Sequence, residues 1–292
     1  MLQKGESRNV NRFLKFISDE DRKNVDEFVL NGLIREYNRC NSIHEVREGF
    51  SIPGYITYDQ ATDIRAFTGT NYFDINSALR GRWSYHENGN DSRKEKFLMQ
   101  ATKIKSIISN NSTSYGDFVT YRGVSLSYFS EYGIESLEDL TSLEGNFLLD
   151  TGLVSTTLLP EQSFFGRDIE GGKKYNVMIE YMIPSEFTDG IYIGDNPNFS
   201  YHPHEQEYLI NAGNMSKVTN VKINDDGTAR IQAVMIPKSL YDDYYKGKNN
   251  NTKYKVCLVT YFFNYKINCR NESLVHKLVL FLSYLMIFYL HL

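Results

Sequence analysis

The chain has 292 residues and carries 32 Lys and Arg against 36 Asp and Glu, which gives a net charge of -4. This balance lacks the basic excess that favours nucleic-acid binding, so nucleic acid is excluded as a partner. The 22 Tyr and 18 Phe beside 6 Pro favour an ordered, strand-rich protein. Cys40, Cys257 and Cys269 are widely spaced and odd in number, so they predict neither a disulfide framework nor a zinc site.

The N-terminal part of the chain has the periodicity of helices. Met1 to Val10 is polar and lacks the apolar core of a secretory signal peptide, so we expect any export to use another route. From Asn11 to Cys40 apolar residues recur at helical spacing, which predicts one or two amphipathic helices with a restart at Ser18. Further helices are predicted from Thr57 or Asp59 to Ala66, from about Tyr72 to Leu79, and from Asp91 or Ser92 onwards.

After Asn111 the pattern changes to alternation and short β-branched or aromatic runs, which are typical of strands. The predicted strands are Phe118 to Tyr121, Phe147 to Thr157, Tyr175 to Ile183, Ile191 to Ile193, Glu207 to Asn211, Lys217 to Ile223 and Ala229 to Ile236. Helices followed by strands predict an α+β fold with a mainly antiparallel sheet. We expect a helical segment over residues 1–50 and the main domain over residues 51–245.

Residues 246–292 differ in composition from the rest of the chain. A Lys- and Asn-rich stretch from Tyr245 to Lys255 precedes two apolar runs, Val256 to Phe263 and Leu274 to Leu292. The last run is shorter than the roughly 20 residues that a helix needs to cross a bilayer. Three interpretations of this tail stay open: a membrane anchor, a docking segment and a non-native extension.

The most informative motif runs from His204 to Ile210 and places Glu205 and Glu207 at the start of an apolar, strand-like run. Side chains alternate along a strand, so both glutamates are predicted to point to the same face. Like charges on one face are normally avoided. A solvated edge strand would tolerate the pair, whereas an active site would use it.

Two earlier strands carry polar side chains that suit the binding of an anionic substrate. Val119 to Gly123 is predicted to form a strand that ends in Arg122. Its planar guanidinium keeps its charge and suits bidentate contact with phosphate, although an arginine at a strand end is also common on ordinary surfaces. The run Ser155-Thr156-Thr157 can hydrogen-bond to neighbouring strands, but alone it also fits plain β-propensity.

Three further segments complete the pattern. The loop after the hydroxyl run contains Phe164-Phe165-Gly166-Arg167, an aromatic residue with an arginine three positions later. The helical segment from Phe67 to Gly81 contains Tyr72 and Asn76 and ends in Leu-Arg-Gly. The stretch from Tyr192 to His204, directly before the glutamates, is rich in Gly, Asn, Pro and aromatic residues.

In this order and spacing, the segments resemble the bacterial ADP-ribosyltransferase exotoxin family, of the type with an Arg, Ser-Thr-Ser and Glu-x-Glu signature. The resemblance extends to the catalytic domains of actin-modifying binary toxins and to C3-like exoenzymes, and it covers roughly Ile52 to Ile236. Two positions depart from the family pattern. Thr157 stands where Ser is commoner, and Phe67 stands where Tyr is common.

The resemblance implies a fold in which N-terminal helices pack on a mainly antiparallel β core of two sheets with a central NAD cleft. It also implies that NAD is a substrate and that no metal takes part. Residues at matching positions would bind NAD: Arg122, Tyr72, Asn76, Phe164, Arg167 and Ser155. Among them, Arg122 would grip the pyrophosphate or its ribose. Phe164 would pack on the nicotinamide, with Phe165 as the alternative, and Arg167 would reach the phosphates.

The resemblance also implies catalytic roles for Glu207, Glu205, Ser155 and Arg122. Cleavage of the nicotinamide–ribose bond passes through a cation on the sugar, which Glu207 would stabilise while Ser155 holds it in place. Glu205 would orient the nucleophile and accept its proton. A guanidinium cannot lose its proton in advance and profits from such a base, so the implied acceptor is a protein arginine, with actin as one possible target.

The resulting expectation is a secreted or delivered mono-ADP-ribosyltransferase effector that acts in the cytosol of a target cell. Its protein target would belong to a host or a competitor. Whether a separate delivery component exists, and whether the tail contacts a membrane, are left open. Two other functions also remain. One is an NAD glycohydrolase that transfers to water, and the other is a catalytically degenerate toxin-accessory binding module.

Other chemistries find less support in the sequence. No Gly-x-Gly-x-x-Gly follows a strand, and no Gly-x-Ser-x-Gly is present, so neither a Rossmann site nor a serine hydrolase is indicated. His202 and His204 lie near the glutamates and suggest a two-histidine, one-carboxylate metal site. We disfavour it because a loop that contains Pro203 is a poor rigid platform.

Overall fold

The computed structural model describes residues 19–83, 91–169, 173–194 and 196–241, and all of them lie in one compact unit. The helices in this part are α1 Asp19–Leu33, α2 Ile43–Gly49, α3 Tyr58–Ala66, α4 Tyr72–Leu79 and α5 Asp91–Asn111. The predicted segment 1–50 is therefore seen from residue 19 onwards. The predicted linker and tail, residues 246–292, lie outside the described residues.

Local capping chemistry fixes where two of these helices begin. Thr57 accepts a hydrogen bond from the backbone N–H of Gln60, and the Gln60 side chain accepts one from the N–H of Thr57. Ser42 and Glu45 form the same reciprocal arrangement at the start of α2. Each capping box satisfies donors that a helix end leaves unpaired, so the short helices are well defined.

A wide helical turn, Phe67–Asn71, joins α3 to α4. Gly69 within it has φ -103° and ψ -116°, which are not helical angles, so the chain changes direction there. The predicted end of one helix at Ala66 and start of the next near Tyr72 are confirmed. Phe67 is fully buried against the ring of Tyr72, so the aromatic residue at this position packs in the core.

The strands form a large mixed sheet and a small ribbon. In the sheet they are β1 Phe118–Val124, β2 Phe147–Asp150, β3 Val154–Thr157, β6 Val177–Ile183, β7 Gly190–Gly194, β8 Glu207–Ile210, β9 Asn214–Ile223 and β10 Ala229–Met235. The order is β2-β9-β10-β6-β1-β3-β8-β7, and neighbours are antiparallel except for β6 and β10. The ribbon pairs β4 Asp168–Ile169 with β5 Lys173–Lys174. This architecture confirms the α+β class.

The sheet has two halves that face each other. In the described part of the chain, β1 and β3 are joined in register at Tyr121 and Thr157, and the strands diverge on either side of that pair. One apolar core lies between the halves and includes Phe118, Val154 and Tyr208. The two predicted sheets are therefore present as halves of one hydrogen-bonded ladder.

Helices cover the outer faces of both halves. Val25 and Val29 of α1 pack with Val119 and Tyr121 of β1 on one side. Helices α3, α4 and α5 pack on β7 and β8 on the other side, through residues such as Ile75 and Leu209. This layering fixes α4 beside the junction of the two halves, where the polar residues of the predicted site also lie.

Two of the predicted strands differ from the observed strands in ways that affect the site. The predicted strand from Phe147 to Thr157 is two strands, because the chain turns at residues 151–153 and β2 and β3 join different halves of the sheet. Strand β1 continues to Val124, so Arg122 lies inside the strand and is flanked by pairing to β6. An arginine in this position is held by backbone on both sides.

Candidate active site

Arg122 is a buried cation between the two sheet halves. It shares a strand face with Phe118 and Val124, whose side chains lie in the core between the halves. Its Nη2 donates a hydrogen bond to the hydroxyl of Tyr72 at 3.0 Å, and its guanidinium carbon lies 5.5 Å from the ring centroid of Tyr128. Nη1 is buried and finds no hydrogen-bond partner among the described residues. A buried donor without a partner is costly, which makes it a candidate ligand contact.

Glu207 is the buried anion of the site. It opens β8, is 3% exposed, and lies opposite Thr157 of β3. Ser155 donates a hydrogen bond to its carboxylate, while Oε1 has no partner in the described part of the chain. Burial raises the pKa of Glu207 to about 7; the Ser155 bond lowers it, the charge of Glu205 raises it, and Arg122 lowers it. The carboxyl group is thus poised to change charge near neutral pH.

The backbone before Glu207 corrects one prediction. Glu205 ends a 3-10 helix, Pro203–Glu205, and Gln206 has φ 50°, in the left-handed region. The two glutamates therefore do not alternate along one strand, and the predicted same-face strand geometry is wrong. They are brought together by a turn instead, and the charge of Glu205 still acts on the carboxyl of Glu207.

Thr157 and Tyr192 hold this turn. The Thr157 hydroxyl donates to the carbonyl of Glu205 at 2.5 Å and accepts from the backbone N–H of Leu159 at 3.0 Å. The hydroxyl of Tyr192 donates to Oε1 of the buried Gln206 at 2.5 Å. Serine would offer the same hydroxyl, so the Thr at position 157 preserves the contact despite its departure from the family pattern.

Glu205 itself is half-buried at the mouth of the site. Burial raises its pKa, and electrostatic interactions with His202, His204 and Arg167 lower it. The rings of His202 and His204 lie edge to face with centroids 6.0 Å apart. A carboxylate with partial access to solvent and Arg167 as a cationic neighbour can accept a proton from a group that approaches from outside.

The loop after β3 exposes one aromatic ring and partly buries the next. Phe164 has φ 65° and is 38% exposed, and the guanidinium of Arg167 lies 4.5 Å from its ring centroid. Phe165 packs against the core under α1, with Arg230 5.5 Å from its ring. Phe164 is therefore the more accessible ring of the two.

Gly123 fixes this loop beside Arg122. Its backbone N–H donates to the carbonyl of Ser163 at 2.5 Å. A Cβ at this position would lie 2.5 Å from the nitrogen of Phe165, closer than real contacts allow. The close approach requires glycine, and it brings the loop with Phe164 to the end of the strand that carries Arg122.

Asn76 and Tyr72 lie on one face of α4, and their contacts differ. Tyr72 accepts the hydrogen bond of Arg122. Asn76 is buried and uses its amide on the backbone of Leu153, with one hydrogen bond of 3.1 Å to its carbonyl and one of 2.8 Å from its N–H. These contacts attach α4 to the turn before Ser155, so Asn76 acts on the architecture of the site.

The stretch before the glutamates is docked on the end of α3. The backbone N–H of Tyr201 donates to the hydroxyl of Thr68 at 3.0 Å, and the Arg65 guanidinium lies 4.1 Å from the Tyr201 ring. A Cβ on Gly69 would lie 2.5 Å from that ring. Tyr201 remains half exposed at the entrance of the site.

The sequence did not predict a second polar cluster, which lies next to Arg122. Arg80 makes a bidentate ion pair with Asp150, and Tyr128 donates to the same carboxylate. Arg80 stands in the quoted Leu-Arg-Gly segment, but its partner lies 70 residues away in sequence. Tyr72, Asn76 and Arg80 are spaced four residues apart, and this spacing is the sequence signal that could have indicated the cluster.

Neither a metal site nor a membrane span is found in the described residues. No group of three or more His, Cys, Asp or Glu side chains in the described ranges could hold a metal ion. The helices of the same ranges include none that is both long and apolar enough to cross a membrane.

A protein-family model for the ADP-ribosyltransferase exoenzyme matches residues 35–238, which is more than half of the chain. The chain belongs to the ADP-ribosyltransferase exoenzyme family. The matched range contains Arg122, Ser155, Glu205 and Glu207. A comparison with curated protein sequences gives no match.

Solved structures of bacterial exoenzymes share the fold. C3stau2 from S. aureus, solved with NAD, has 19% identity and a TM-score of 0.55 over 70% of this chain and 100% of that chain. Plx2a, an ADP-ribosyltransferase toxin from Paenibacillus larvae, has 20% identity and a TM-score of 0.55 over 69% and 100%. BECa of a C. perfringens binary enterotoxin, solved with NADH, has 20% identity and a TM-score of 0.53 over 70% and 50%. At these identities the likeness concerns the fold alone.

Proposed function

We propose that this exoenzyme transfers ADP-ribose from NAD to an arginine of a target protein and releases nicotinamide. The observation that carries the proposal is a pair of buried atoms without partners in the described residues, Nη1 of Arg122 and Oε1 of Glu207. One is a cationic donor and the other an anionic acceptor, and their charges act on each other. A substrate with an anionic group and a sugar that becomes cationic satisfies both.

Arg122 supplies the binding charge. Its Nη2 is held by Tyr72 and its carbon lies over Tyr128, so the guanidinium cannot turn away, and Nη1 is left for the NAD pyrophosphate or its ribose. Phe164 offers an exposed ring for the nicotinamide, and Arg167 beside it offers a second cation. The C3stau2 structure with NAD and the BECa structure with NADH support a nucleotide in this fold.

Glu207 supplies the charge that the reaction needs. The bond between C1′ of the ribose and the nicotinamide nitrogen breaks, and nicotinamide leaves as a neutral molecule with the bonding electrons. The ribose becomes cationic, and the buried carboxylate stabilises it because the surroundings screen the charge poorly. Ser155 orients the carboxylate and favours its ionised form.

Glu205 serves the acceptor. A guanidinium nitrogen of the target arginine forms the new bond to C1′ and loses a proton as it does so. Glu205 is partly accessible and has a raised pKa, so it is suited to accept that proton. Actin is a candidate target by resemblance, and we expect a secreted or delivered effector that acts in the target-cell cytosol, with or without a separate delivery component.

Two other outcomes use the same site. An NAD glycohydrolase would pass ADP-ribose to water, and a degenerate accessory module would leave NAD intact. Incubation of the purified chain with labelled NAD and a cell lysate distinguishes the three. A labelled protein band that hydroxylamine removes under conditions specific for arginine linkages supports the proposal, whereas free ADP-ribose alone or unchanged NAD contradicts it. Mass spectrometry of the band then identifies the target and the modified residue.

A further inference from the structure

Asp150, at the end of β2, is the centre of the polar cluster next to Arg122. Its side chain is 10% exposed. Oδ1 accepts from Arg80 Nε at 3.1 Å and Nη2 at 2.9 Å, and from the backbone N–H of Gly152 at 2.8 Å. Oδ2 accepts from the hydroxyl of Tyr128 at 2.7 Å. One carboxylate therefore ties together a helix, a turn and an aromatic side chain.

The helix that Asp150 holds is the one that reaches the active site. Tyr72 and Asn76 lie four residues apart on one face of α4, and Arg80, four residues later, is the residue that caps the C-terminus of this helix. Tyr72 contacts Arg122, Asn76 contacts Leu153, and Arg80 contacts Asp150. A shift of this helix face would therefore move the hydroxyl that orients Arg122.

The turn that follows Asp150 is packed tightly on the same helix. A Cβ on Gly152 would lie 2.6 Å from the side-chain oxygen of Asn76 and 2.8 Å from the guanidinium carbon of Arg80. Ser155 comes three residues after this glycine and bonds to Glu207. Displacement of the turn would reach the catalytic carboxylate through that serine.

The negative charge of Asp150 also offsets the positive charges of two nearby arginines, Arg80 and Arg122. Burial lowers the pKa of Arg80, Asp150 raises it, and the charge of Arg122 lowers it, with a net rise above the usual value. The two guanidinium groups thus repel each other, and the carboxylate lies against one of them. Tyr128 completes the link because its hydroxyl bonds to Asp150 while its ring faces Arg122.

We propose that Asp150 is a positioning residue for cleavage of the dinucleotide: it neutralises Arg80 and fixes both Tyr128 beside Arg122 and the turn that leads to Ser155. The inference rests on the proposed function. It makes opposite predictions for binding and turnover. Loss of the negative charge leaves the cleft more positive, which favours an anionic ligand, while loss of the contacts misplaces the groups that act on the ribose.

The test is Asp150→Asn in the purified full chain, with two readouts. We expect the dissociation constant of ADP-ribose, measured by calorimetry, to fall by about threefold as the cleft gains positive charge. We expect kcat for nicotinamide release to fall by about tenfold or more, because small misplacements are costly to a reaction. Asp150→Glu, which keeps the charge, should recover much of the turnover. Asp26→Asn, which removes an ion pair to Lys217 at α1, is the matched control and should change neither value.

A purely structural role predicts a lower melting temperature with kcat and ADP-ribose affinity unchanged per folded molecule, and that result would overturn the inference. So would an equal effect in Asp26→Asn. If Asp150→Asn does not fold, Tyr128→Phe removes one contact of the acid and keeps the ring; wild-type kcat in that variant would also overturn it. Absence of nicotinamide release by the wild-type chain would refute the proposed function instead, and the ADP-ribose titration would still decide the charge effect.

Discussion

Ser155 on β3 donates a hydrogen bond to the carboxylate of Glu207 on β8, although Thr157 is the residue directly opposite this glutamate. The bond therefore runs diagonally across the strand pair, over a separation that side chains of this length can span. Burial raises the pKa of Glu207 to about 7, and the Ser155 bond lowers it against that rise. The serine thus affects both the direction and the charge of the carboxylate.

Ser155→Ala should move the pH dependence of the reaction to higher pH. Without the hydrogen bond the pKa of Glu207 rises further, so a smaller fraction is ionised at a given pH and activity is lost earlier on acidification. We expect the acidic limb of kcat for nicotinamide release to shift upwards by about 0.5–1 pH unit. Ser142→Ala, at an exposed 3-10 helix, is the control. An unshifted limb with reduced kcat would mean that the serine acts by geometry alone.

Glu207→Gln should abolish NAD cleavage and make the protein more stable at alkaline pH. Loss of one electrostatic stabiliser costs about 100–1000-fold in kcat. Because the pKa of Glu207 is raised in the folded protein, protonation of this carboxyl stabilises the folded state. This stabilisation is complete below pH 4.5, the usual pKa of glutamate, and is lost as the pH rises through about 7. Glutamine avoids that loss, so the free energy of unfolding at pH 8 should rise on the order of 2 kcal/mol over wild type.

Denaturant unfolding at pH 5 and pH 8, together with nicotinamide release, checks this prediction. The stabilisation should be smaller at pH 5, where wild-type Glu207 is largely protonated. Glu131→Gln, at an exposed ion pair with Arg82, is the control for both readouts. Wild-type turnover in Glu207→Gln would remove this residue from the mechanism.

Arg122→Lys should weaken NAD binding although it keeps the positive charge. Lysine cannot hold the Tyr72 hydroxyl with one nitrogen while it presents another to the substrate, so the geometry of the fork is lost. We expect the dissociation constant of NAD to increase by about tenfold in calorimetric titration. Arg82→Lys at the surface should leave it unchanged. Equal affinities for wild type and Arg122→Lys would show that the arginine is structural.

Replacement of the two neighbouring phenylalanines should have different effects. Phe164→Ala removes an exposed ring and should raise KM for NAD by about 3–10-fold, the value of one aromatic contact. Phe165→Ala removes a ring that packs under α1 and should lower the melting temperature with little change in KM. Steady-state kinetics and thermal unfolding of both variants test the pair. A KM effect confined to Phe165→Ala would move the nicotinamide contact by one residue.

The sequence predicts elements whose signals are local. The capping residue Thr57 and the short aromatic and β-branched run that starts at Phe118 act within a few residues, and the corresponding helix and strand begin where expected. These features depend on backbone chemistry that neighbours in sequence control. The family resemblance, and not periodicity, suggested Tyr72 and Ser155 as site residues, and these two side chains contact Arg122 and Glu207 respectively.

Features that depend on distant contacts were not predicted. The left-handed conformation of Gln206 is unusual for a residue other than glycine, and it is stabilised by the hydroxyl of Tyr192, which lies 14 residues away. The pairing of Arg80 with Asp150 spans 70 residues. The segment Thr151-Gly152-Leu153 was wrongly predicted to be strand. Its turn depends on packing against α4, which the local sequence does not show. Tertiary contacts of this kind leave no periodic trace in the sequence.

Glu205→Gln provides the sharpest test of the two glutamates. If Glu205 serves only the acceptor, this variant should lose arginine modification by about 100-fold, the usual contribution of one general base, and keep much of its NAD hydrolysis. Water is small and reaches C1′ without the base, and Glu207 still stabilises the ribose cation. The variant also removes a negative charge that raises the pKa of Glu207, so hydrolysis should persist to slightly lower pH.

Nicotinamide release and protein labelling, measured side by side in the same reaction with Glu205→Gln, separate the possibilities. Divergence of the two rates supports a division of labour between the glutamates. A solvated surface carboxylate would leave both rates unchanged, and a direct role in the NAD site would lower both in parallel. Parallel loss would refute the division of labour and keep the enzyme class, because Arg122, Ser155 and Glu207 alone suffice for NAD cleavage in this mechanism.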